Sequence, residues 1–213
     1  MIKAIIFDFD GVLIESLEIK TGAFAKLFEK EDPSDACKIV AYHNKNAGVS
    51  RYDKLRYIYK EILNRPLSDA IFSDLCNKFS QLVTDAVIKA GYVKGAKEFL
   101  DKYSDKYQCF IISATPQEEL DEIIKRRQMS HYFKGIYGAP KDKKEAVRGI
   151  IGANGLAASE IIYLGDALSD YQAASDNAIN FIARISNDKA VLLGTNCIKV
   201  RDLTELENVI APL

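Results

Sequence analysis

The chain has little of what disulfide scaffolds and transition-metal centres require. Its 213 residues include four cysteines, Cys37, Cys76, Cys109 and Cys197, and two histidines, His43 and His131. The cysteines stand far apart and form no CxxC or Cys/His cluster. Such spacing argues for reduced thiols in a cytoplasmic protein and against a disulfide framework or a histidine-based zinc site. Long apolar runs are missing as well. The opening run, Ile5-Ile6-Phe7, is stopped by Asp8, too soon for the apolar region of a secretion signal. Nothing approaches the roughly 20 apolar residues of a membrane span, so no membrane association is expected. An excess of one charge is also absent, with 29 basic against 30 acidic residues and a net charge of −1. The densest basic cluster, Lys141-Asp142-Lys143-Lys144, is too short to follow a nucleic acid backbone. A nucleic acid partner is therefore not expected. A small anionic substrate stays open, because it needs only two or three well-placed cations.

What is present is an ordinary globular composition, 48% hydrophobic and 28% charged, enough for a core without staples. Four short apolar runs lack polar alternation and read as buried parallel strands: Ala4 to Phe7, Cys109 to Ile112, Ile161 to Leu164 and Ile179 to Ala183. Ile198 to Val200 is a weaker fifth. Helical patterns fall between the later runs, at Gln117 to Arg127 and Lys143 to Asn154. This alternation predicts βαβ units and a doubly wound sheet. The first gap breaks the rhythm, because about 100 residues separate the first strand from the second. Leu17 to Lys30, Tyr52 to Leu63 and Asp69 to Lys89 carry apolar residues at three- and four-residue spacing, the mark of amphipathic helices. The fold class expected is α/β: a Rossmann-like parallel-sheet core, residues 1–16 and 91–213, with an inserted all-helical cap domain, residues 17–90. No apolar stripe beyond core needs calls for an obligate partner, so a monomer or weak homo-oligomer is expected.

The chemically suggestive residues all follow predicted strands, the edge at which open α/β sheets bind ligands. Asp8-Phe9-Asp10-Gly11 sets two carboxylates beside a buried strand, which is costly unless they bind a cation or react; a plain Asp-Gly turn is the alternative. Ser113-Ala114-Thr115-Pro116 offers a hydroxyl at the opening of a helix, fit for a phosphate oxygen or for simple capping. Gly138-Ala139-Pro140-Lys141-Asp142-Lys143-Lys144 supplies lysines near a helix start, able to meet a phosphate or to be solvated. Gly165-Asp166-Ala167-Leu168-Ser169-Asp170 places two aspartates four apart, hard oxygen ligands suited to Mg²⁺.

In this order, over essentially the whole chain, the four motifs resemble the haloacid dehalogenase superfamily. Asp8-Phe9-Asp10-Gly11-Val12-Leu13 resembles in particular its phosphoglycolate phosphatase and β-phosphoglucomutase branch. The resemblance implies a Mg²⁺-dependent phosphatase acting on a small phosphorylated metabolite. Asp8 would be the nucleophile and Asp10 the general acid and base. Ser113, Ala114 and Lys143 would bind the phosphate, with Lys141 and Lys144 as alternatives to Lys143. The metal would lie on Asp8, Asp10 (through its main-chain carbonyl), Asp166 and Asp170. The presence of Asp10 argues against dehalogenation, since a halide leaves without a proton.

In the cap, Ala47-Gly48-Val49-Ser50-Arg51 resembles the specificity loop of β-phosphoglucomutase, whose arginine meets a second substrate phosphate; Arg51 is the corresponding candidate. The mutase's loop lysine and cap-helix histidine correspond to Ala47 and Lys20 here, and its Glu-Asp metal pair to Asp166-x-x-x-Asp170. These departures favour hydrolysis over the alternative of a phosphosugar mutase. Phosphonoacetaldehyde hydrolysis would need a reactive cap lysine, Lys20 or Lys54. A non-catalytic binding protein on the same fold is the remaining alternative, and the intact acidic motifs speak against it.

Overall fold

The computed structural model describes residues 1–186 and 191–213. Among these residues six strands form one sheet in the order β3-β2-β1-β4-β5-β6, every neighbouring pair parallel. The strands are β1 Ala4–Phe7, β2 Gln108–Pro116, β3 Gly135–Ala139, β4 Ile161–Gly165, β5 Asn180–Arg184 and β6 Ile198–Val200. All four residues of β1 are buried, because helices cover both faces of the sheet. Ile5 and Phe7 enter one hydrophobic cluster, Ala4 and Ile6 the other. That two-sided burial is why the strand reads as a continuous apolar run.

The chain winds outward on one side of β1, then returns to start β4 on the other. The C-terminal ends of β1 and β4 thus flank the point where the winding reverses, and a crevice opens there. Four helices are inserted after β1: α1 Leu17–Leu27, α2 Pro33–Lys45, α3 Arg51–Tyr57 and α4 Asp69–Lys89. Their starts are locally encoded. Asp32, Ser50 and Ser68 each accept a hydrogen bond from a backbone N–H in the first turn of α2, α3 and α4. The inserted helices pack on the core through one continuous cluster in which Phe24, Ile58 and Phe79 join Phe7 and Leu164. The two connections run side by side, with Glu15 N donating to Gly91 O at 3.0 Å and an antiparallel bridge between Ile14 and Tyr92.

The remaining helices belong to the core: α5 Ala96–Tyr103, α6 Gln117–Arg126, α7 Lys143–Asn154, α8 Leu168–Asp176 and α9 Leu206–Ile210. Some elements differ from the sequence pattern. The helix expected from Leu17 to Lys30 stops at Leu27, because Asp32-Pro33 starts α2 almost at once. The one expected from Tyr52 to Leu63 is α3 followed by a π-helical turn, Ile58–Ile62. Strand β2 runs four residues past Ile112, so Ser113 and Thr115 lie in extended chain rather than after it. No described helix is long and apolar enough to cross a membrane.

Candidate active site

The core supplies the floor of the crevice. Asp8 follows β1 directly; its backbone N–H donates to Leu164 O at 2.9 Å, and its Oδ1 accepts from Phe9 N at 2.8 Å. Gly11 then turns the chain away at φ +76°, where a side chain would strike Asp166 and Leu17. Asp166 follows β4, and Asp170 reaches back from the first turn of α8. Asp8, Asp166 and Asp170 each bring a carboxylate oxygen to within 4.8 Å of the others. Of the three candidate lysines, Lys143 is the one that arrives here: its Nζ lies 2.6 Å from Asp170 and 3.3 Å from Asp8. Lys141 covers the Tyr137 ring and Lys144 pairs with Asp176. Asp170 also accepts from the Tyr163 hydroxyl at 2.9 Å and from Ala167 N at 3.0 Å.

Three carboxylates and one ammonium leave the floor short of positive charge. Burial, then the charge of Asp170, pushes Asp8 up to about 7 despite Lys143. Burial and the charges of Asp8 and Asp170 raise Asp166 well above the carboxylate range. Burial opposes the charge on Lys143, but Asp170 and Asp8 outweigh it and hold the ammonium protonated. Hard oxygen donors gathered with their charge unmet fit a small hard dication such as Mg²⁺.

Asp10 lies on the cap side of Asp8 and is treated differently. Burial pushes its pKa up, yet the Lys20 ammonium and hydrogen bonds from Lys20, Ser16 and Thr115 outweigh that and hold it low. Ser16 Oγ donates to it at 2.6 Å and Thr115 Oγ1 at 2.9 Å, while Ser113 Oγ stands at 3.5 Å. Lys20, on α1, bonds Asp10 and also donates to Thr115 Oγ1 at 2.7 Å. A cap cation therefore touches the second aspartate of the first motif.

The cap forms the roof. Gly48 sits against the Asp166 loop so closely that a Cβ there would overlap Ser169 and Ala167, and Ser169 Oγ donates to Gly48 O at 3.0 Å. Beneath it lies a small chamber of about 40 Å³ lined by Asp8, Asp10, Asp166, Lys20, Lys54 and Ala114, among others. An outer cleft of about 430 Å³ lies on the far side of Gly48 and Val49, where Ser113, Ala114 and Lys143 line it. Arg51 borders the inner chamber but is engaged by the protein itself. Its Nη2 lies 2.5 Å from Glu119 Oε1, its Nη1 donates to Ser80 at 2.6 Å, and its guanidinium covers Phe79. Lys54 and His43 complete the roof, Nζ to Nδ1 at 3.2 Å.

The crevice thus gathers Asp8, Asp10, Ser113, Ala114, Lys143, Asp166 and Asp170, with Lys20, Lys54 and Arg51 above. Sequence reasoning passed over Thr115, although it lies in the Ser-Ala-Thr-Pro run. It also passed over Ser16, Tyr163 and Glu119. For Glu119 no local signal exists, since it meets Arg51 across 68 positions of sequence.

Comparison with known proteins places the family and the fold. Residues 5–184 match the family model described as haloacid dehalogenase-like hydrolase. A phosphoglycolate phosphatase of Aliivibrio fischeri is 24% identical over 189 residues, 81% of this chain and 79% of that protein. Among solved structures, a predicted phosphoglycolate phosphatase from Haemophilus somnus superposes with a TM-score of 0.78 at 14% identity, covering 98% of both chains. A HAD-hydrolase from Bacillus subtilis bound to magnesium gives 0.74 at 13% identity, covering 99% of both. At such identities the structural likeness speaks to the fold.

Proposed function

The chain belongs to the haloacid dehalogenase-like hydrolases, and from that premise we propose that it hydrolyses a small phosphomonoester through an aspartyl-phosphate on Asp8. One observation carries the reading: Asp8, at the end of the central strand, shares a charge-starved cluster with Asp166, Asp170 and Lys143. Such a cluster suits a reaction that brings in a phosphate dianion and its counter-cation together. In the first step the Asp8 carboxylate attacks phosphorus, and the bond to the leaving oxygen breaks with its electron pair. Asp10 gives that oxygen a proton. In the second step Asp10 takes a proton from water, which attacks the aspartyl-phosphate and releases inorganic phosphate. Proton transfer of this kind is worth about 10² to 10⁴ in rate.

Lys20 holds Asp10 ionised, the form the second step needs. The first step needs the protonated acid, so the entering substrate must loosen that contact. Ser113, the Ala114 backbone and Lys143 would hold the transferring phosphate. Asp8, the main-chain carbonyl of Asp10, Asp166 and Asp170 would hold Mg²⁺. The ion, when bound, relieves the repulsion between the nucleophilic carboxylate and the phosphate. Gly48 and Val49 line both the inner chamber and the outer cleft, between the cap and the strand ends.

The test is phosphate release from p-nitrophenyl phosphate and a panel of metabolites, with Mg²⁺ or with EDTA. Release that needs Mg²⁺ and disappears in Asp8→Asn is the expected result. Turnover surviving in Asp8→Asn would remove the covalent mechanism, and isomerisation of β-glucose 1-phosphate without release would replace hydrolysis with a mutase.

A further inference from the structure

Among the described residues the roof of the chamber holds three cations, and two already have carboxylate partners. Lys20 bonds Asp10, and Arg51 bonds Glu119, with Ser80 completing its fork. Lys54 differs. It is 2% exposed, and its Nζ contacts are His43 Nδ1 at 3.2 Å, Ala47 O at 3.2 Å and the face of the Phe24 ring at 5.6 Å. None is an anion. His43 cannot become a competing charge, because burial, then Lys54 and Lys20, drives its pKa down to about 3. A buried ammonium with no carboxylate in contact is unfavourable, and burial, reinforced by Lys20 and only partly opposed by the charge of Asp10, pushes Lys54 down to about 7. It lines the same chamber as Asp8 and Asp10.

We infer that Lys54, rather than Arg51, is the specificity-determining cation of the cap, and that it selects short phosphomonoesters carrying a second acidic group on the leaving-group side. This deepens the phosphatase reading and rests on it. The second acid of the substrate becomes the counter-ion that the fold leaves out. A carboxylate suits the space. The chamber that Lys54 lines is small, about 40 Å³, only a few water sites at about 10–15 Å³ each, so the room beside the ammonium suits a compact acid. Neutral esters of the same size leave Lys54 buried and unpaired, and discrimination against them follows from that loss.

The experiment compares phosphoglycolate with 2-hydroxyethyl phosphate, which replaces the carboxylate by a neutral carbinol. It follows kcat/KM with Mg²⁺ for wild type, Lys54→Met, Lys54→Arg and Arg51→Met. Wild type is expected to favour the acid. Lys54→Met should lower the acid-to-neutral ratio roughly 10- to 100-fold, and Lys54→Arg should retain most of it. Arg51→Met should depress both substrates while keeping their ratio within about threefold. Calorimetric binding of phosphoglycolate to Asp8→Asn, with and without Lys54→Met, should follow the same order. An unchanged ratio in Lys54→Met, or a ratio that collapses in Arg51→Met instead, overturns the inference. Should Lys54→Met fail to fold, a wild-type ratio at or below one does the same. If neither ester nor p-nitrophenyl phosphate releases phosphate, the phosphatase reading itself falls, and this inference with it.

Discussion

The floor and the roof of the chamber handle charge in opposite ways. On the floor, like charges crowd together: Asp8, Asp166 and Asp170 converge and share Lys143. In the roof, opposite charges are already matched, Lys20 to Asp10 and Arg51 to Glu119, and among the described residues Lys54 alone is left over. The floor hangs from the ends of parallel strands, where backbone geometry holds the carboxylates together despite their repulsion. The roof rides on an inserted helical unit, and its ion pairs tie that unit down. Clustering like charge costs stability and creates a site; pairing opposite charge across the two units closes it. A substrate phosphate with its cation would relieve the floor, and a second acid would complete the roof.

The largest effect expected is the break in the floor. Asp8→Asn should lower turnover by at least about 10³-fold. The same change removes one like charge, so in EDTA the variant should melt above wild type by a few degrees, roughly 2–6 °C. A lower midpoint would show that the cluster is not under electrostatic stress. Breaking the roof should do the reverse. Arg51→Met leaves Glu119 buried and unpaired, a loss of about 3–5 kcal/mol to be read from chemical denaturation, and the double variant Arg51→Met/Glu119→Gln should recover part of it.

Protonation sharpens the comparison further. His43 holds its proton less tightly folded, near 3, than unfolded, near 6.5. Between those values the unfolded chain binds more protons, so stability rises with pH through the window and is lost as pH falls from 6.5 toward 3. His43→Gln should flatten that slope by roughly 1–3 kcal/mol, measured as denaturation free energy at about pH 4.5 against about pH 7; equal slopes would remove His43 from the account. The smallest effect belongs to the exposed surface. Lys26, paired with Glu29 at 2.6 Å on the cap exterior, should tolerate Lys26→Ala with a melting midpoint within about 1 °C of wild type.

Much of the core was legible in the order of residues. Runs such as Ala4-Ile5-Ile6-Phe7 and Ile161-Ile162-Tyr163-Leu164 announce buried parallel strands because both faces must be apolar. Strand β3 was not legible. It reads Gly-Ile-Tyr-Gly-Ala, lies at the sheet edge and has its first three residues partly exposed, so neither an apolar run nor an alternation marks it. Helices α5 and α8 escaped because each is short, eight and nine residues. The aspartates stood out because acidic residues beside buried strands are rare without purpose. Lys143 could not be separated from Lys141 and Lys144 by sequence, since all three stand beside one another at the same turn. Only the start of α7 settles which side chain points inward.

Strand and helix periods, the insertion after the first strand, and the residue types at each strand end are already written in the order of residues. Those features are local, written in the spacing of apolar residues and in the chemistry of a few neighbours. Tertiary structure alone decided how the charges pair. Arg51 meets Glu119 from 68 positions away, Lys20 meets Thr115 from 95, and Lys54 meets neither carboxylate. Pairing of this kind depends on how the inserted helices dock against α6 and the strand ends. That docking is set by the shared hydrophobic cluster of Phe24, Phe79 and Phe7, a surface that exists only once both units are folded.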